Sequence, residues 1–227
     1  MTSLDTSQPI IIQPGISNEF YTFDNGWHQT FFGSFKPCPR SAFACFCSPC
    51  YIAKLNDRAG EYFLTYCINP YSLMALRTKV RAAFHIRGSL AEDCYTTCCC
   101  LYPCAAMQIE KELDHQNIPN VVVQTKPGDD VWKFENWWTQ QLHHCCEDIG
   151  SCCLVCWCCP CTMYKIYDRA DEDLLTCCWP MTLWPLRTKI RTLFRIRGSV
   201  CSDCLAVYCC PCCALIQMRR ELKQQGL

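Results

Sequence analysis

The sequence predicts a mainly α protein made of two tandem, small, cysteine-rich helical domains with irregular cysteine-bearing turns. Three observations lead there. The segment Arg77-Thr-Lys-Val-Arg-Ala-Ala-Phe-His-Ile-Arg-Gly-Ser89 returns 110 positions later as Arg187-Thr-Lys-Ile-Arg-Thr-Leu-Phe-Arg-Ile-Arg-Gly-Ser199. Of the 26 cysteines, eight in each copy stand at equivalent places. Within each basic segment the apolar residues recur at helical spacing, with Leu76, Val80, Ala83 and Phe84 on one face and Arg77 and Arg81 four apart on another.

The match extends both ways from the basic segment. Phe23-Asp-Asn-Gly-Trp27 returns as Phe134-Glu-Asn-Trp-Trp138, and Lys54 to Ala59 returns as Lys165 to Ala170. Gln108-Ile-Glu-Lys-Glu-Leu113 returns as Gln217-Met-Arg-Arg-Glu-Leu222. A period this long describes two copies of one domain rather than a solenoid. The expected organisation is a first repeat over 1–116, a linker over 117–130 rich in turn residues, and a second repeat over 131–227.

Each copy opens with a short β-branched run closed by Pro-Gly, Ile10 to Gly15 and Val121 to Gly128, expected to be extended or irregular. A short helix is expected around Tyr51–Asp57 and Thr162–Asp168. The basic helix is expected over Leu73–Arg87, ended by Gly88 as a left-handed residue. Ser89-Leu-Ala-Glu92 has the form of a capping box, and Ser202 in place of glutamate suggests a weaker cap in the second copy. A last helix then runs through the second cysteine cluster to Leu113 or Leu222, bent at its proline.

Composition narrows the function classes. Formal net charge is zero, so no global field draws the chain to nucleic acid or acidic lipid. Residues 41–53, 94–109, 149–164 and 204–218 carry no charge, and each holds a proline. As helices these runs reach only about 20–24 Å, short of a hydrocarbon core of about 30 Å. A spanning helix is not expected, and a re-entrant or interfacial segment stands as the alternative. The first thirty residues have neither the basic start nor the apolar core of an export signal. The expectation is a cytoplasmic protein, membrane-associated in the alternative reading, with reduced thiols rather than structural disulfides.

Within the repeats, Cys45, Cys47, Cys50 and Cys67 match Cys156, Cys158, Cys161 and Cys178, and Cys94, Cys99, Cys100 and Cys104 match Cys204, Cys209, Cys210 and Cys213. Two sequence-distant knuckles giving two thiolates each is how zinc commonly obtains a tetrahedral four-sulfur site. Eight matched cysteines per copy suffice for two such sites, and the basic helix could offset the charge of a four-thiolate centre. Zinc is therefore the expected cofactor and these sixteen cysteines its candidate ligands. Two other readings stand beside it: buried thiols that only pack, and palmitoylated cysteines that anchor the chain to a membrane.

Enzyme readings fare less well. Cys47-Ser-Pro-Cys50 and Cys158-Cys-Pro-Cys161 have the CxPC form of dithiol oxidoreductases, but the strand that should precede such a motif is missing from the pattern. His85 becomes Arg195 in the second copy and His143-His144 has no first-copy match, so no shared general base exists for a cysteine nucleophile. No carboxylate pair stands out. Four or five cations per basic segment are too few and too little flanked by aromatics to argue for nucleic acid; a solvated helix face is expected instead. The expected partners are proteins and, in the alternative reading, a membrane surface.

A resemblance adds to this. Trp-x-Gln leaders, a cysteine cluster ending in Pro-Cys, the Arg-Thr-x5-Phe-x-Ile-x-Gly-Ser segment and a closing Cys-Cys pair followed by Gln-x3-Glu-Leu together resemble the onzin/cornifelin (placenta-specific eight) family, twice over nearly the whole chain. Cys152-Cys153-x5-Cys159-Pro160-Cys161 also resembles the signature of the related plant cadmium-resistance and cell-number-regulator proteins. The resemblance implies a non-enzymatic role in growth, differentiation or survival, membrane association for many members, and metal handling in the plant branch. The first copy departs from the plant signature with Ser41, Ala42 and Ser48, and both copies replace the family's closing cysteine, with Met107 and Ile216.

Overall fold

A computed structural model describes residues 22–34, 39–62, 65, 71–98, 101–118, 129–147, 149–173, 176–177 and 180–227. The first repeat contains α1 (Pro39–Phe46), α2 (Ser48–Arg58), α3 (Ser72–Ala83), α4 (Leu90–Cys98) and α5 (Tyr102–His115). A short α6 (Asp129–Trp132) leads into the second repeat, which holds a 3-10 turn (Leu142–Glu147), α7 (Ile149–Trp157), α8 (Cys159–Arg169), a 3-10 turn (Pro180–Thr182), α9 (Leu183–Leu193), α10 (Val200–Cys209) and α11 (Pro211–Gln224). The mainly α expectation holds. The β-branched leaders at 10–15 and 121–128 lie outside the described residues.

Prolines and positive-φ residues set the element boundaries. Pro49, Pro103, Pro160 and Pro211 each sit in the first two positions of a helix, where the missing N–H costs nothing. The single bent last helix of the sequence reading is thus two helices, because each proline starts a new one. The basic helix also stops earlier than expected. His85 and Arg195, both at φ 50°, turn the chain out of α3 and α9, and the Ile86 and Ile196 amides then bond back to Arg81 and Arg191 carbonyls at 2.9 Å. Gly88 does something else: a Cβ there would lie 3.2 Å from Arg81 Cδ, so glycine lets the buried arginine pass. The second-copy cap is not weakened, since Ser199 and Ser202 exchange both side-chain to backbone bonds. A short hydroxyl reaches as well as a carboxylate does.

Each leader is pinned to the end of its basic helix. Asn25 and Asn136 form parallel bridges with Ile86 and Ile196, and their Nδ2 atoms donate to Phe84 O and Phe194 O at 2.8 Å. The Phe-x-Asn match between copies is therefore a docking clip.

The basic helices are not solvated faces. Arg77, Lys79 and Arg81 are 1%, 2% and 1% exposed, and Arg187, Lys189 and Arg191 are equally buried. They form the centre of the molecule, where α3 packs on α9. The expectation failed because their carboxylate partners lie elsewhere in the sequence. Asp93 receives Arg77 Nε and Arg81 Nε, both at 3.0 Å, plus the Thr78 hydroxyl at 2.9 Å. Asp203 repeats this with Arg187, Arg191 and Thr188 at 3.2, 2.6 and 3.1 Å.

Two further carboxylates cross between repeats. Glu61 takes Lys79 Nζ of its own repeat, accepts the Val200 amide at 2.7 Å at the start of α10, and lies 3.7 Å from Arg191 Nη2. Glu172 mirrors it: Lys189 Nζ at 2.6 Å, the Leu90 amide at 2.7 Å at the start of α4, and Arg81 Nη2 at 3.7 Å. Each carboxylate thus meets the positive end of a helix in the other repeat. Phe23 and Phe134 place their rings within 5.2–5.7 Å of the lysine of the opposite repeat and of an arginine of their own. Each repeat has its own apolar core, and Ala75 and Leu90 of the first repeat pack in the second's, among residues such as Leu186 and Val200.

Removing one member of a buried ion pair strands the other, at a cost of about 3–5 kcal/mol. Glu61→Gln is therefore expected to lower the unfolding free energy by about that amount. Glu135→Gln, which breaks the exposed Lys133–Glu135 pair, should cost less than about 1 kcal/mol. Denaturant titration of both variants checks this, and equal effects would contradict the network's role.

Candidate thiolate metal centre

Three helices start on cysteine in the same way, and a fourth carries one in its first turn. Cys47, Cys158 and Cys210 are the N-cap residues of α2, α8 and α11, and Cys50, Cys161 and Cys213 follow three residues later in the first turn. Cys104 holds the same first-turn position in α5, whose cap is Leu101. Unpaired N–H groups and the helix dipole at such positions favour an anionic sulfur.

In the first repeat α5 packs on both α1 and α2, so the two sequence-distant clusters meet. Cys47 and Cys50 are hydrogen-bonded, and that bond, followed by the charge of Cys47, holds the Cys50 thiol above its ordinary range. Burial, followed by the charge of Cys45, raises the Cys104 thiol. Cys45 from α1 and Cys104 from α5 are thus close enough to feel each other. Cys45 and Cys50 are exposed and Cys47 and Cys104 partly so, which leaves the cluster open to solvent.

In the second repeat the same joint is oxidised. Cys158 is bonded to Cys161, and Cys210 to Cys213, each pair with a Cα separation of 5.4 Å. This corrects the expectation of reduced thiols throughout. Residues three apart in a first helical turn bring their Cα atoms within the span of a disulfide. The second-repeat extras Cys152 and Cys159 pack against the core edge while Cys153 is exposed.

The remaining candidates are dispersed or undescribed. Cys94 and Cys204 are buried within α4 and α10, and Cys204 belongs to the apolar core. Cys209 is exposed at the end of α10. Cys67, Cys99, Cys100 and Cys178, and the side chain of Cys156, lie outside the described residues. Among the described residues no three cysteine, histidine or carboxylate side chains surround one metal position. The suggestion that the basic helix offsets thiolate charge also needs correction. Its cations are matched to Asp93, Asp203, Glu61 and Glu172 instead.

Sequence reasoning missed Glu61 and Glu172. The signal was present, since Asp-Arg-Ala-Gly-Glu61 is answered by Asp-Arg-Ala-Asp-Glu172, but nothing local says that a carboxylate will be buried. The other shared polar residues prove structural. Gln108 accepts from Arg77 Nη1 at 2.7 Å and donates to Gln29 O at 2.9 Å, and Glu112 and Glu221 accept the His28 and Thr139 amides at 2.9 and 2.8 Å. The same filter that selects cysteines thus also selects scaffold.

Comparison with known proteins agrees with this duplicated architecture. The PLAC8 family model matches residues 27–112 and again 138–221. Protein PLANT CADMIUM RESISTANCE 1 of Arabidopsis thaliana is 34% identical over 105 residues, covering 39% of this chain and 69% of the relative. Cell number regulator 9 of Zea mays is 33% identical over 105 residues, covering 39% of this chain and 59% of the relative. Placenta-specific gene 8 protein of Homo sapiens is 34% identical over 108 residues, covering 46% of this chain and 90% of the relative. No solved structure matches. With its family domain present twice over more than half its length, the chain belongs to the PLAC8 family.

Proposed function

We propose that the protein is a non-enzymatic regulatory or interaction protein whose helix-start cysteines hold a soft divalent metal ion, zinc in the resting state. The single observation that supports this is the packing of α5, which carries Cys104, on α1 and α2, which carry Cys45 and Cys50. With Cys47 and Cys50 on the neighbouring α2, closing this joint on a metal would gather four sulfurs from three helix ends, the donor set that zinc and cadmium prefer. The equivalent set in the second repeat is Cys156, Cys158, Cys161 and Cys213. It becomes available once each of the two disulfides there takes two electrons and two protons from a dithiol reductant. The cadmium-resistance name of one relative points the same way.

A second reading places the same joints at a membrane surface, in protein that is palmitoylated or simply interfacial. Phe46 and Trp157 occupy equivalent positions at the ends of α1 and α7 and are 92% and 90% exposed. Phe43 and Leu154, one turn back, are exposed as well, so each helix offers an apolar ridge beside accessible cysteines. Among the described residues no helix is long and apolar enough to cross a membrane.

Titration of the reduced full-length protein with cadmium, followed by thiolate-to-metal absorbance, is expected to saturate near about two ions per chain. Cys47→Ser with Cys50→Ser should remove about one of them; an unchanged stoichiometry would contradict the assignment. The raised Cys50 and Cys104 thiols hold their protons near neutrality, so metal must displace them. Apparent affinity should consequently rise with pH, by about tenfold per unit for each proton released. For the membrane reading, Phe46→Ser with Trp157→Ser should reduce co-sedimentation with phosphatidylcholine vesicles several-fold, and no loss would remove it.

A further inference from the structure

A cleft of about 420 Å³ lies on the second repeat, away from the helix-start cysteines in the sequence, and is lined in part by Trp137, Trp138, Leu142, Arg187, Ser202 and Gln217. A volume of this size suits a small organic molecule. Arg187 is its chemically active wall. The guanidinium lies 4.3 Å over the Trp138 ring, Nη2 donates to Gln217 Oε1 at 2.6 Å, and Nε lies 3.2 Å from Asp203 Oδ1. Its Nε, placed for charge contact only, and its Nη1 are both buried with no hydrogen-bond partner among the described residues. An unsatisfied buried donor on a cation is costly and favours an incoming acceptor.

The first repeat serves as an internal control. There Arg77 makes the same stack on Trp27 at 4.2 Å and the same bond to the shared glutamine, Gln108, at 2.7 Å, but its Nε also donates to Asp93 Oδ1 at 3.0 Å. Two carboxylates, Asp93 and Glu92, support its charge. The second repeat has Ser202 at the Glu92 position, and Asp203 alone supports Arg187 while also holding Arg191 Nε at 2.6 Å. Across the central network six buried cations face four buried carboxylates, and only the first repeat adds a fifth acid at its rim. The second repeat therefore keeps a positive surplus beside a cleft with aromatic and aliphatic walls.

We propose that this cleft binds a small organic monocarboxylate, its carboxylate on Arg187 and its apolar body against Trp137 and Leu142. Two unsatisfied donors, Nε and Nη1, match the two oxygens of a carboxylate, and one surplus charge matches a monoanion. A dianionic phosphate would instead put excess negative charge next to Asp203, and it has no apolar part for the walls.

Ser202→Glu tests this directly, because it restores the acid of the first repeat while glutamate at that position keeps a capping box. Ser202→Gln keeps the box and the size without the charge. Benzoate serves as the probe, titrated into full-length native protein and both variants by calorimetry, with inorganic phosphate as a second arm. Saturable benzoate binding to native protein and to Ser202→Gln is expected, weakened by about tenfold or more in Ser202→Glu, a loss equal to about 1.4 kcal/mol. Phosphate should bind at least about tenfold more weakly than benzoate. Absence of saturable benzoate binding, equal affinity in Ser202→Glu, or phosphate binding as tight as benzoate would each overturn the proposal. The thiol-to-serine variants leave this measurement unchanged, so it stands apart from the metal reading.

Discussion

Two buried carboxylates, Glu61 and Glu172, decide how this molecule is put together. Each neutralises a lysine in its own repeat and caps a helix in the other. Without them, α3 and α9 could not face each other, because six cations would meet in a space with too few anions. With them, the two most basic stretches of the chain become its centre. Duplication here has produced an internal pseudo-symmetric pair, in which each copy completes the other's helix start.

This arrangement explains why the shared residues fall into two classes. Arg77, Asp93, Gln108, Glu112 and their second-copy partners form a polar scaffold that fixes the leader, α3, α4 and α5 relative to one another. The cysteines of α1, α2 and α5 hang from the ends of that scaffold rather than from its middle. A charged centre and a sulfur-bearing rim are set apart: the centre needs burial to be strong, whereas Cys45 and Cys50 at the rim are exposed. The copies differ at the rim, with thiols in one and disulfides in the other. They also differ at Glu92 and Ser202, where the charge balance of the centre reaches the surface.

Much of this was legible in the residues. The tandem organisation and the helical class followed from spacing and from the comparison of one copy with the other. Helix ends were misplaced where a non-glycine residue, His85 or Arg195, adopts the left-handed conformation, since neither is a residue that announces such a turn. The basic helix was misread because burial is a tertiary property. Arg77, Lys79 and Arg81 look like a solvated face until Glu61, Asp93 and Glu172, contributed by other segments and by the other repeat, are brought in. The disulfides of the second copy were not expected, because first-turn spacing serves bonded and free sulfurs equally well.

The central claim is that exchanged carboxylates, not the connecting segment, hold the repeats as one body. Its most direct measurement places a protease site within residues 121–128 of the full-length chain, cuts it, and follows the products by size-exclusion chromatography. Co-migration of the two halves at low ionic strength and at high salt alike, as buried pairs shielded from screening require, is the expected result. Separation of the halves upon cutting would contradict it.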